Sequence, residues 1–203
     1  MFQFHPLVGA LLAALATLAA LTAASHACAA ETYLGANIAA RSNTDLNCIG
    51  GAACERPGNA SGKIVGGYLS ALAPLNGVEI AQGIEVMAYT AGSSKAVFRN
   101  ANAFVPGSAK SKGIGVTHVL RASLGDFAIT TRLGLGYTRG KLNYAAGGAD
   151  SKSVVVPLVG LGVRYSLNRD WALNADWDRL PGKYNDQQKM VVNMFSIGLS
   201  YQF

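Results

Sequence analysis

From Met194 to Phe203 the chain alternates between two kinds of side chain. Phe195, Ile197, Leu199, Tyr201 and Phe203 are large and apolar, whereas Met194, Ser196, Gly198, Ser200 and Gln202 are mostly small and polar. Successive side chains of a strand point to opposite faces. The segment Val191 to Phe203 is therefore expected to be a strand with grease on one side and a narrow, filled space on the other. The same period recurs upstream. Trp171, Leu173, Ala175 and Trp177 alternate with Ala172, Asn174, Asp176 and Asp178; Pro157, Val159, Leu161, Val163 and Tyr165 alternate with Gly160, Gly162, Arg164 and Ser166. Phe127, Ile129, Leu133, Leu135 and Tyr137 stand against Thr130, Arg132, Gly134, Gly136 and Thr138. Ile114, Val116, Leu120 and Ala122 stand against Thr117, Val119 and Arg121, and Ile80, Ile84, Val86 and Ala88 against Glu79, Gly83 and Glu85. Weaker strands near Lys63 to Leu72 and Thr32 to Ala40 complete a predicted set of eight.

The breaks between these segments alternate in length. Short ones fall at Pro74-Leu75-Asn76-Gly77, Leu124-Gly125-Asp126 and Asn168-Arg169-Asp170; long ones at about 41–62, 90–112, 139–152 and 181–190. Short turns on one side and long loops on the other are the habit of outer-membrane barrels. A soluble eight-stranded barrel keeps its apolar face inward. Here the aromatics share the apolar face, while the opposite face carries Arg, Asp and Glu that a greasy soluble core would not accept. The expected fold is all-β, an eight-stranded antiparallel up-and-down transmembrane barrel. A charged fraction of 14% and 24 glycines fit that class, since soluble domains carry about 25% charge and glycine weakens helices.

Residues 1–30 differ from the rest. Leu7 to Ala24 contains no charged or amide side chain and gives way to Ala27-Cys28-Ala29-Ala30, a small-x-small pattern typical of a secretory signal. Cleavage is expected before Glu31, leaving the barrel at 31–203. Met1 to His5 lacks the usual Lys or Arg, and a retained membrane anchor is the other reading. Export places Cys48 and Cys54 in an oxidising compartment, where a disulfide is expected. Metal binding is the rival, but one thiolate pair with no nearby His falls short of four ligands.

Several pieces of the chain together resemble a known family, the transmembrane domain of OmpA and the small OmpX-like barrels. They include Tyr33-Leu34-Gly35-Ala36-Asn37-Ile38, Val65-Gly66-Gly67-Tyr68, Gly83-Ile84-Glu85-Val86 and Thr131-Arg132-Leu133-Gly134-Leu135-Gly136. Pro157 to Tyr165, Trp171 to Trp177 and Ser196 to Phe203 continue the series in order. The resemblance implies a bacterial outer-membrane location, surface-exposed loops, and an insertion signal in Tyr201 and Phe203 for the barrel-insertion machinery. OmpA continues into a peptidoglycan-binding domain where this sequence ends on its last strand, so cell-wall anchoring is not expected.

The inward charges Glu79, Glu85, Arg121, Arg132, Arg164, Asp176 and Asp178 are expected to pair as a lumen network, because isolated charges in a space only wide enough for side chains are costly. The resemblance implies that such a network is structural and able to gate a small pore, with Glu85, Arg132 and Asp176 the positions to watch. Catalysis has little to stand on. His118 is the only histidine after residue 30; the alternation puts it on the lipid face, and no Ser lies beside it. The Gly134/Gly136 and Gly160/Gly162 pairs open no helix and precede no GK[ST], so they are wall glycines rather than phosphate loops. No cofactor or metal is expected.

The net charge of +6 has a location. Arg41, Arg56, Lys63, Lys95, Arg99, Lys110, Lys112, Arg139, Lys141, Lys152, Lys183 and Lys189 fall in or beside the expected outer loops. They could meet lipopolysaccharide phosphates or simply be solvated. Nucleic-acid binding lacks interleaved aromatics and a reading motif. Three functions follow for test. The first is structural and surface-interacting, with loop contacts to lipopolysaccharide, host or phage among the outer-membrane lipids. The second is a narrow porin-like channel, and the third an outer-membrane lipid-modifying enzyme.

Overall fold

The computed structural model describes residues 30–46, 61–100, 103–145, 147–184 and 189–203. The expected signal segment, apart from Ala30, and both Cys48 and Cys54 lie outside the described residues. Eight strands follow one another: β1 Ala30–Leu46, β2 Gly62–Ala71, β3 Glu79–Asn100, β4 Ala103–Leu124, β5 Phe127–Tyr144, β6 Ala149–Ser166, β7 Trp171–Lys183 and β8 Lys189–Gln202. Each pairs antiparallel with the next, and β1 pairs with β8, closing the ring. Over the span where all eight strands pair, closure leaves no sheet edge with unmatched backbone groups, the condition that hydrocarbon imposes on any spanning sheet; the outer hairpins of β3–β4 and β5–β6 project past that ring.

The faces fall as the alternation requires. Along β5, Phe127, Ile129, Leu133, Leu135 and Tyr137 are exposed on the outside, while Ala128, Thr130, Arg132, Gly136 and Thr138 are buried within. The exposed large residues run round every strand, from Leu34 and Ile38 on β1 to Ile197 and Leu199 on β8. An apolar surface of that extent on a folded chain needs a lipid solvent. At the end where β1 begins and β8 finishes, Phe127 packs on Tyr165, Trp171 on Tyr201, and Tyr201 on Phe203 with ring centroids 5.0 Å apart. These rings form part of an aromatic girdle.

The short turns lie where they were expected. Leu75 and Val78 exchange backbone hydrogen bonds across Asn76 and Gly77, whose φ angles of 51° and 82° are those of a primed two-residue hairpin. Asn168 accepts from the backbone N–H groups of Asp170 and Trp171 through its side-chain oxygen, closing the turn into β7. The long breaks are a correction. Most of 90–112 and 139–152 is not loop: β3 and β4 stay paired to Asn100↔Ala103, and β5 and β6 to Asn143↔Ala149. β7 and β8 likewise pair up to Lys183↔Lys189, and β1 continues to Leu46 against β8. Ser, Gly and Lys made these stretches look irregular. The ladder pairs backbone groups regardless of side chain, and buried Ala109, Leu142, Tyr144 and Val156 keep the hairpins closed.

Candidate functional site

Among the described residues, the ion pairs of the lumen set four carboxylates against four cations. The centre is Arg132 on β5. Its Nε donates to Glu85 Oε1 at 2.9 Å and its Nη1 to Asp176 Oδ1 at 2.9 Å, so one guanidinium fork joins β3 to β7. The other carboxylate oxygens are held as well. Tyr33 donates its hydroxyl to Glu85 Oε2 at 2.6 Å, and Asn37 Nδ2 donates to Asp176 Oδ2 at 2.8 Å. Lys63 Nζ sits 3.0 Å from Asp176 Oδ2 and also pairs with Asp178. Glu85 is fully buried, and so is the Lys63 side chain. Ions removed from water this far depend on complete pairing, because each bare one costs several kcal/mol.

A second, smaller set closes the end where β1 begins and β8 finishes. Glu31 on β1 accepts from Arg121 on β4 and lies 3.3 Å from Arg164 on β6; Arg164 also donates to Gln202 on β8 at 2.9 Å. The Arg121 guanidinium covers the Tyr33 ring at 5.1 Å. Glycines make the room. A Cβ on Gly160 would stand 2.6 Å from Asp178 Oδ1, and one on Gly162 would collide with Asp176, its register partner. The gap left beside Tyr33, Asn37, Arg121, Arg132 and Asp176 is about 10 Å³, close to the volume one water needs.

Beyond the ions the lumen turns apolar on strand after strand. Glu85 gives way to Met87 and Tyr89 on β3, Asp178 to Leu180 on β7, Ser196 to Met194 and Val192 on β8, and Arg164 to Leu158 and Val156 on β6. Further out, burial and a hydrogen bond to Asp150 push the Tyr144 phenol up to about 12.

Six of the seven residues expected in the lumen network, Glu85, Arg121, Arg132, Arg164, Asp176 and Asp178, are buried and paired in it. Glu79 is not among them. It is the first residue of β3 and is exposed at the rim, so water solvates it. Lys63 is a second correction: expected beside a loop, it is buried at the centre. Glu31, Tyr33 and Asn37 are inward residues that only their parity on β1 could have flagged. His118 lies on the outer face between Ile84 and Leu133. Of the expected insertion signal, Phe203 is exposed and Tyr201 half-buried, stacked edge-on with it.

The model of the outer membrane protein beta-barrel domain family matches residues 10–203. Among solved structures, Ail, the attachment invasion locus protein of Yersinia pestis, in complex with the heparin analogue sucrose octasulfate, is similar at a TM-score of 0.50. Its identity is 16%, over 86% of this chain and 99% of Ail. Neisserial surface protein A is similar at 0.54, with 18% identity over 85% of this chain and 97% of its own. At such identities the likeness is one of fold. No curated protein sequence matches the chain.

Proposed function

The chain belongs to the outer membrane protein beta-barrel domain family and resides in the bacterial outer membrane, and from that premise we propose a structural and surface-interaction role for it. The wall supports the membrane, and the outer hairpins meet lipopolysaccharide or a host or phage surface. What supports this reading is the filled lumen: a paired ionic layer backed by Met87, Leu158, Leu180 and Met194, each no more than 2% exposed. A barrel packed in this way has its surfaces, rather than its bore, to work with. Ail, a barrel of the same fold, holds a polyanionic saccharide, which agrees with a cation-rich exterior serving contact. Tyr201 and Phe203 fit the terminal signal read by the insertion machinery.

A narrow channel is the second reading, favoured by one observation. Arg132 and Lys63 share Asp176, so the network contains cations that could exchange partners and open a path. Planar-bilayer recording of the refolded protein separates the two. The structural role expects no steady openings; small steady openings that change in Glu85→Ala would transfer the assignment to the channel. Enzymatic lipid modification has less support, since His118 has aliphatic register neighbours on both sides and, among the described residues, no carboxylate is paired with it as a general base's partner would be. Mass spectra of lipid A from cells with and without the protein are expected to match.

A further inference from the structure

On β4 and β5 the outer face changes character within one step of the ladder. Ile114 stands opposite Tyr137, then Lys112 opposite Arg139, then Lys110 opposite Lys141; all six are exposed. Two successive cross-strand pairs thus set like charge against like charge, which destabilises an antiparallel pair. The register extends both rows. Lys112 pairs on its other side with Thr90 and Arg139 with Ser153, while Lys110 pairs with Ser93 and Lys141 with Ser151. Each row runs hydroxyl, cation, cation, hydroxyl, and neither contains a carboxylate. β3 bulges between Thr90 and Ser93, with Gly92 at φ 55°, and the wall there holds a depression of about 480 Å³ lined by Thr90, Ser93 and the four cations.

Four cationic side chains whose Cβ atoms stand about 5 Å from those of their cross-strand neighbours, edged with hydroxyls and set round a hollow, suit a ligand with closely spaced anionic oxygens. The position selects its source. The quartet begins one step past Ile114 and Tyr137, where the apolar band ends on the side away from the start of β1 and the end of β8, at the level of the outer-leaflet headgroups. We infer that Lys110, Lys112, Arg139 and Lys141 bind the phosphates of the outer-leaflet glycolipid, lipid A, whose acyl chains run down Ile114, Leu135 and Leu133. The Arg can grip a phosphate through two N–H groups and the lysines supply point charges. This deepens the surface-contact role and rests on it, but moves the contact from the loops to the barrel wall.

The test uses the refolded full chain in detergent, with native mass spectrometry counting bound bis-phosphorylated or dephosphorylated lipid A. The wild type is expected to bind the phosphorylated form at least tenfold more tightly. Lys110→Ser/Lys112→Ser/Arg139→Ser/Lys141→Ser is expected to lose that preference, whereas Arg169→Ser, at a turn of the opposite rim, keeps it. Heat-modifiable gel migration confirms that the variants fold. Without lipid A the quadruple variant is expected to resist urea at least as well as the wild type, since repulsion has been removed, and added lipid A should stabilise only the wild type. Unchanged phosphate preference in the quadruple variant overturns the assignment to this wall while leaving surface contact standing. No phosphate preference in the wild type overturns the lipid A assignment altogether, while the surface-contact role stands or falls on the planar-bilayer recording. Tighter, quartet-dependent binding of soluble sucrose octasulfate than of lipid A overturns the lipid and makes the ligand a free polyanionic saccharide.

Discussion

Toward the start of β1 and the end of β8 the lumen is closed by carboxylates and cations; toward the long hairpins it is closed by Met87, Leu158, Leu180, Val192 and Met194. Both layers are largely buried and both fill the same bore, yet they hold for different reasons. In the ionic layer each residue is acceptable only while its partners are present, because desolvation of an unmatched charge outweighs what packing returns. In the apolar layer any side chain of suitable volume serves, and the cost of change follows the cavity left behind. The ionic layer also binds far-separated strands at fixed points, Arg132 reaching β3 and β7 together. The apolar layer has no such directionality.

That contrast can be broken by substitution. The largest effect is expected for Asp176→Ala, which strips Arg132, Lys63 and Asn37 of a shared acceptor. Urea unfolding of the refolded barrel should show a loss of about 3–5 kcal/mol, and Asp176→Asn, which keeps the shape, should recover little of it. Leu180→Ala should cost roughly 2–5 kcal/mol, but here the shape-preserving change rescues: Leu180→Met should stay within about 1.5 kcal/mol of wild type. If Asp176→Asn were tolerated as well as Leu180→Met, the two layers would not differ in kind.

The glycines sharpen the comparison at smaller scale. A Cβ at Gly136 would lie 2.8 Å from Leu158 Cδ1, the far end of a movable side chain, whereas one at Gly162 would meet an Asp176 carboxylate already held by Lys63, Arg132 and Asn37. Overpacking costs about 1–3 kcal/mol. Gly136→Ala should fall at the low end and be relieved further by Leu158→Val in the double variant, while Gly162→Ala should fall at the high end with no such relief. Equal costs in thermal unfolding would remove the distinction.

Much of this architecture was legible beforehand because it rests on neighbours in the chain. Whether Leu133 or Arg132 faces lipid depends only on parity, and Asn76-Gly77 bends wherever it occurs between strands. The lengths of the strands were less legible. Ser108, Lys110, Lys112 and Gly113 carry no strand preference of their own, and their pairing is dictated by the partner across the ladder. Glu79 and Lys63 show the same gap in the network itself. Both have inward parity, but Glu79 opens β3 at the rim, whereas Lys63 stands at the level of Asp176 and Asp178.

By itself, then, the sequence determined which face of the wall most strand residues take, the order of the strands and the sites of the tight turns, since all three follow from spacing along a pleated backbone. The tertiary structure alone decided depth and partnership. Asn37 meets Asp176 across 139 residues, and Lys63 meets Asp178 across 115. Such contacts arise only when the ring closes and the stagger of all eight strands sets which inward side chains share a level.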